Sequence, residues 1–504
     1  MKEGTRSRPS ASRRRVQRPQ TASGDVLAGF ALLGLGVAGA AYGFSTLPLA
    51  VGMILATLGF ELAVRRPRVL RLLDIWRFAF VYLFGSEVIA SLPDVRSDFG
   101  RAIAATAEGF IVAAFGASLI GYALGRFLVP MRQAHGATVL HRRGSPRIAA
   151  LMLLSTFIVL YVAIGVSPGR LLAERAMRDS SVGPAFPMVA TVMVVQCTLV
   201  ARQLASTRFR VAYLFPIAVA IGSFGVLYLV GTRFFLGFFV SGVLFFATRF
   251  MEPLSARRLS LLCALAVVLI LAQGTMRLVR GIGIEEAMSR RVASSLGQTG
   301  MYLSNEGMLR VHAWVHDKRV YADSDHAPEH AFLLYWWVPR SLWPSKPTMD
   351  GYWLAHEVMM DGDVGAGHSV AGGFALPALL DFGPRLGILV CLMYGLALWG
   401  LERFAARHRS PADAASVFSS LLPFAIFFVM RSPQTSMIFL ESCLALYLPI
   451  FVLDRIASRG HRRLARMVSS RRPGRVIEVP RAAHVLRWRP APKAVWATAG
   501  RKLA

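Results

Sequence analysis

The chain has 504 residues, 55% of them hydrophobic and only 17% charged, with a formal net charge of +29 and a mean hydropathy of +0.49. Soluble domains run near ~45–50% apolar and ~25% charged, which excludes a soluble enzyme, a secreted disulfide scaffold and a nucleic-acid-binding domain. The charge also sits in the wrong place for a nucleic acid, since residues 1–24 carry +6 and residues 455–504 carry +13, two basic tails flanking a hydrophobic body. Such tails mark the cytoplasmic side of a membrane and its anionic leaflet. The composition predicts an all-α polytopic membrane protein.

A bilayer crossing takes about 20 residues. Twelve apolar segments follow in chain order, at 26–44, 47–64, 75–92, 109–129, 148–166, 186–201, 211–230, 234–249, 259–275, 374–401, 414–430 and 435–453. An even number returns the C-terminus to the side on which the chain began. The loops that fall inside on this count are basic and almost free of acid: Arg65, Arg66, Arg68 and Arg71; Arg132, Arg142, Arg143 and Arg147; Arg202, Arg208 and Arg210; Arg249, Arg257 and Arg258; Arg403, Arg407 and Arg409. The outer loops are mixed, as at 93–108 with Asp94, Arg96, Asp98, Arg101 and Glu108. Both termini are therefore expected in the cytoplasm. The predicted layout is a basic tail (1–24), nine spans (25–275), one large outer loop (276–373), three further spans (374–454) and a second basic tail (455–504).

Only Ser45-Thr46 separates the first two spans, which reads as a helical hairpin anchor rather than a signal peptide. All four cysteines (Cys197, Cys263, Cys391 and Cys443) fall in spans, so no outer disulfide framework is expected. In the C-terminal tail, Trp488 and Trp496 stand among arginines; a lipid-hugging tail and a solvated one fit equally.

The outer loop 276–373 is too long to be a connector. It holds six of the eleven histidines (His312, His316, His326, His330, His356 and His368), eleven of the 28 acids and five of the nine tryptophans. Flat aromatics beside acids suit the faces and hydroxyls of sugars, although Trp336 and Trp337 could equally lie in the membrane interface. Arginines also stand on the disfavoured outer side. Arg233 is in the turn between spans seven and eight, and Arg431 in the turn between the last two. With Arg340 and Lys346 they could form a cationic cluster for a lipid phosphate; the alternative is snorkelling or pairing with span acids such as Glu87 or Glu441.

Other chemistry is missing from the pattern. His312 and His316 are four apart but lack a zinc motif, and Asp361-Gly362-Asp363 lacks the rest of a calcium loop, so no metal is expected. There is no phosphate-cradling glycine loop and no nucleophile elbow, and no cofactor is called for. His368, in the glycine-rich stretch Gly367-His368-Ser369, is placed to take a proton from a hydroxyl near the membrane surface, or is a solvated loop histidine.

Three places in order resemble the bacterial O-antigen and exopolysaccharide repeat-unit polymerase family. The first is the outward turn Gly231-Thr232-Arg233. The second is Val338-Pro339-Arg340-Ser341-Leu342-Trp343-Pro344-Ser345-Lys346-Pro347, similar to the family's tryptophan-proline-x-lysine-proline run. The third is Gly367-His368-Ser369 followed by Asp381-Phe382-Gly383-Pro384-Arg385-Leu386-Gly387, similar to its asparagine-phenylalanine-glycine-x-x-glycine lead into the next span. The chain departs in having Asp381 for the asparagine and Pro377 where members often have glutamate. The resemblance covers roughly 210–400.

It implies a membrane glycosyltransferase (GT-C-like) architecture in the bacterial inner membrane. The implied activity joins undecaprenyl-pyrophosphate-linked oligosaccharide repeat units into polysaccharide at the periplasmic face, without metal or cofactor. On this reading His368, Arg340 and Arg233 are catalytic, and Lys346, Arg431, Trp343, His330 and Ser369 bind substrate; His330, Glu329 and Glu357 are rival bases in the same loop. Implied partners are membrane lipid, a chain-length regulator and a flippase, and no nucleic acid. An O-antigen ligase would use nearly the same parts. A lipid-linked glycan flippase is the rival from another class, and predicts midplane charges and related halves.

Overall fold

A computed structural model describes residues 23–64, 70–130, 307–322, 329–335, 338, 341–346, 372–407 and 414–433, all within the compact unit Met1–Ile450. The expected spans between 148 and 275 and at 435–453 lie outside the described residues, as does the C-terminal tail.

Every regular element among the described residues is helical. In chain order these are α1 (Ser23–Tyr42), α2 (Leu47–Val64), α3 (Leu72–Ala90), α4 (Leu92–Phe99), α5 (Arg101–Leu128), α6 (Met308–Lys318), α7 (Glu329–Tyr335), α8 (Leu376–Arg407) and α9 (Ala414–Arg431). Three of them are long and apolar enough to cross a membrane, over Gly24–Tyr42, Arg101–Leu128 and Leu376–Arg407; the bent pair α3 and α4 makes a fourth if counted as one span. These helices suit a membrane-embedded protein, whose spanning segments must satisfy their backbone internally.

Small residues bring the long helices together. In α1, Gly29 and Gly36 face Gly116 and Gly109 of α5; a Cβ at Gly116 would lie 2.7 Å from the Gly29 carbonyl oxygen. Where lipid replaces water, association rests on such close backbone packing rather than on a hydrophobic drive. α8 crosses the other side of α5, with Gly395 against the Ser118 carbonyl and Gly121 against that of Leu392. Between them lies an aromatic core: Phe115 meets Phe80 at 4.0 Å between ring centroids, and Phe374 is edge-on to Trp76 at 5.3 Å. The Trp76 indole donates to Ser118 Oγ at 3.0 Å, satisfying its one donor.

The stretch expected as an outer loop at 93–108 is instead helical. α3 and α4 meet at a 58° bend, and Gly100, at φ +82°, reverses the chain into α5. Hydropathy ended the span at the charged residues, whereas the run Ala102 to Ala107 carries the helix through them. Glu108 is consequently inside the bundle. Its carboxylate accepts from Ser45 Oγ (2.6 Å) and from the backbone N–H of Thr46 (3.0 Å) and Leu47 (3.1 Å) at the start of α2, and pairs with Arg96 (3.2 Å).

The opposite end of the bundle holds a buried ionic cluster. Arg77, 1% exposed, pairs with Asp25 (2.6 Å) and Glu61 (2.9 Å). Arg71 reaches Glu61 (2.6 Å) and Asp74 (3.1 Å), and Glu402 of α8 accepts from the Leu72 backbone N–H. Polar chemistry is thus not confined to one outer loop, as the hydropathy pattern suggested. Each acid has a basic or N–H partner, which is what burial of charge demands.

Candidate functional site at a broken helix

α8 is not one straight helix. Gly383 sits at φ 69° and ψ 179° in its interior, with Pro384 next. A residue with a Cβ is strained at that φ, and proline removes a helical donor, so the pair breaks the helix where the sequence had suggested a plain lead into a span. The two segments fold close together, since a Cβ on Gly387 would come 2.7 Å from the Ala378 carbonyl oxygen.

Asp381 lies just before this break, its side chain 2% exposed. The short helix α7 packs there and brings His330 to it. Asp381 Oδ2 accepts from the His330 backbone N–H at 2.9 Å and from its ring Nδ1–H at 2.5 Å. On the other edge of the ring, Nε2 lies 2.7 Å from the Tyr394 hydroxyl, on α8 beyond the break. Phe382 packs against the imidazole at 5.3 Å between centroids. A carboxylate only accepts, so in the neutral form of the ring the proton sits on Nδ1 and the Nε2 lone pair faces the Tyr394 O–H. A base, its orienting acid and a hydroxyl in one line are the elements of proton-transfer chemistry.

Of the residues expected to form the site, His330, Trp343, Lys346 and Arg431 are described; His368, Arg340, Arg233 and Ser369 lie outside the described residues. Trp343 meets Tyr335, at the far end of α7 from His330, at 5.2 Å, and its indole donates to Ser345 Oγ at 3.1 Å. Lys346 folds back to donate to the Val338 carbonyl at 2.9 Å. The tryptophan-proline-x-lysine turn is therefore built onto the helix that carries His330. Arg431 ends α9, and its carbonyl accepts from Gly373 N–H at 2.9 Å, on the approach to α8. Asp381 and Tyr394 were missed as site residues. The available signal was an aspartate in an apolar run directly before Phe-Gly-Pro.

The paired histidines of α6 do something else. His312 is fully buried and donates through Nε2 to the Gly372 carbonyl at 2.9 Å. Burial, with His316 nearby, lowers its pKa to about 3, and burial lowers that of His316 to about 4. Both rings pack on Phe110 of α5. They act as neutral packing groups that dock α6. Among the described residues, no three histidine, cysteine or acidic side chains are grouped so as to hold a metal ion.

No family model matches the chain, and no curated protein or solved structure matches it.

Proposed function

We propose that this protein polymerises undecaprenyl-pyrophosphate-linked oligosaccharide repeat units at the periplasmic face of the bacterial inner membrane, by inverting glycosyl transfer. In this reading the chain crosses the membrane about twelve times with both termini cytoplasmic. The 276–373 loop and the start of α8 form the site.

The observation that carries the proposal is the placement of His330. A histidine from the long polar loop is held by Asp381 at a break in a long apolar helix, and this reading brings the lipid-linked sugar to that break. His330 removes the proton of the acceptor sugar hydroxyl, the role that the resemblance gives to His368. The acceptor oxygen then attacks the anomeric carbon of the donor. Arg233 and Arg340, with Lys346, stabilise the charge that builds on the departing pyrophosphate. Trp343, on the same helix–turn assembly, offers a sugar a flat face.

The test is a product gel. Purified protein receives a single lipid-pyrophosphate-linked repeat unit, with no nucleotide and with EDTA present. A ladder of lengths with release of lipid pyrophosphate supports the reading. No ladder, but transfer of one unit once a second glycolipid acceptor is added, makes the protein a ligase. No longer product of either kind removes glycosyl transfer.

A further inference from the structure

Resting on that reading, we infer that Asp381 is a positioning residue for the His330 imidazole and that the Tyr394 hydroxyl marks the place where the acceptor sugar hydroxyl docks.

The first half follows from two hydrogen bonds converging on one oxygen. Asp381 Oδ2 takes both the backbone N–H and the Nδ1–H of His330, so it fixes the start of α7 and the ring together. With Nδ1 protonated, Nε2 is the single basic atom of the ring. Its lone pair points at an oxygen 2.7 Å away, the range in which a proton is passed to a base.

The second half follows from which oxygen that is. A phenol O–H and a sugar O–H present the same donor to Nε2; Tyr394 is half-buried, and its ring and that of Phe382 both pack on the His330 imidazole, at 6.2 and 5.3 Å between centroids. An apolar ring next to a hydroxyl donor is the pairing that a pyranose offers, with its C–H face and its O–H groups. The acceptor hydroxyl takes the Tyr394 position against Nε2. Its O–H bond breaks, with the proton passing to Nε2. The oxygen forms a bond to the donor anomeric carbon as that carbon's bond to the pyrophosphate oxygen breaks, and the electron pair leaves with the pyrophosphate.

Three full-length variants reconstituted in bilayers test this. Asp381→Ala removes the one oxygen that accepts both N–H groups of His330. A neutral imidazole without that acceptor favours the Nε2–H form, whose proton the Tyr394 oxygen can accept. Nitrogen NMR of histidine-labelled protein, with the His330 signal found by its loss in His330→Gln, should show the Nδ1–H form in the wild type and the Nε2–H form in Asp381→Ala. Turnover should fall by about a hundredfold or more with KM little changed. Tyr394→Phe should lower the acceptor KM about fivefold, because the acceptor no longer displaces a hydrogen bond. An unchanged tautomer in Asp381→Ala, or its turnover at the wild-type rate, overturns the positioning role. A raised KM in Tyr394→Phe overturns the docking position. If the wild type transfers no sugar, the docking position falls with the functional reading, and the tautomer still decides the role of Asp381.

Discussion

The Glu87 carboxylate accepts hydrogen bonds from the backbone of Gly307 at 3.0 Å and of Leu309 at 3.4 Å. A buried acid of α3 thus caps α6, far along the chain, and docks that helix onto the bundle. The first N–H groups of a helix need acceptors, and a negative charge there also meets the positive end of the helix dipole. Replacing Glu87 by Gln turns one acceptor into a donor facing an N–H. The expected cost is about 1–3 kcal/mol, read as roughly 5- to 150-fold faster hydrogen exchange of the α6 amides, with those of α5 unchanged. Unchanged α6 protection would show that the cap does not hold the helix.

At the other end of the bundle, Arg77 joins α3 to Asp25 of α1 and Glu61 of α2. Removing one member of a buried pair strands its partner, whereas removing both ends of the contact is far milder. Arg77→Met is expected to destabilise the protein by about 3–5 kcal/mol. Adding Asp25→Asn should recover part of that loss, since without Arg77 the Asp25 carboxylate keeps only its longer contacts to Arg71 (3.7 Å) and Arg126 (3.8 Å), and the amide carries no charge. Thermal unfolding of the two variants in the same detergent checks this, and additive losses would contradict the coupling.

The α6 histidines predict a pH dependence of known sign. Their pKa values in the folded protein, about 3 for His312 and about 4 for His316, lie below the unfolded value of 6.5. Between those limits the undocked state binds protons that the docked state does not, so the docking of α6 weakens as pH falls from 6.5 toward 4 and is strongest above 6.5. His312 alone contributes up to about 1.4 kcal/mol per pH unit within that window. His312→Gln keeps a donor for the Gly372 carbonyl and loses the titration. Its α6 protection factors should fall with pH about half as steeply as those of the wild type, the remaining slope being due to His316. A slope equal to the wild type would assign the effect elsewhere.

How far the sequence carried the fold can be read from particular residues. The apolar runs at 26–44 and 47–64 appear within a few residues as α1 and α2, because continuous hydropathy over about 20 residues has few other outcomes. The break in α8 was present as Gly383-Pro384, but the span expected at 374–401 runs straight through it, since hydropathy does not register a turn inside an apolar run. In the sequence Glu108 reads as an outer-loop acid and Glu87 as a span acid that could pair with an outward arginine. Their burial depends on backbone N–H groups supplied by α2 and α6, and no window along the sequence contains that relationship. At the site, His330 was legible as a loop histidine, but its partners were not. Asp381 was visible only as a departure from an asparagine, and Tyr394 as one aromatic in a membrane helix. What joins them is the doubling-back of α8 at Gly383, a backbone event without a periodic signature.

The central claim is that His330 accepts the proton in glycan extension, and the most direct measurement is the product ladder made by His330→Gln. Reconstituted wild type, His330→Gln and His368→Gln would be given the same lipid-pyrophosphate-linked repeat unit after thermal unfolding had shown equal folding. The account predicts a ladder from the wild type and loss of at least about a hundredfold in extension rate for His330→Gln, with His368→Gln less affected. A full ladder from folded His330→Gln would contradict it, and loss confined to His368→Gln would move the base to that residue.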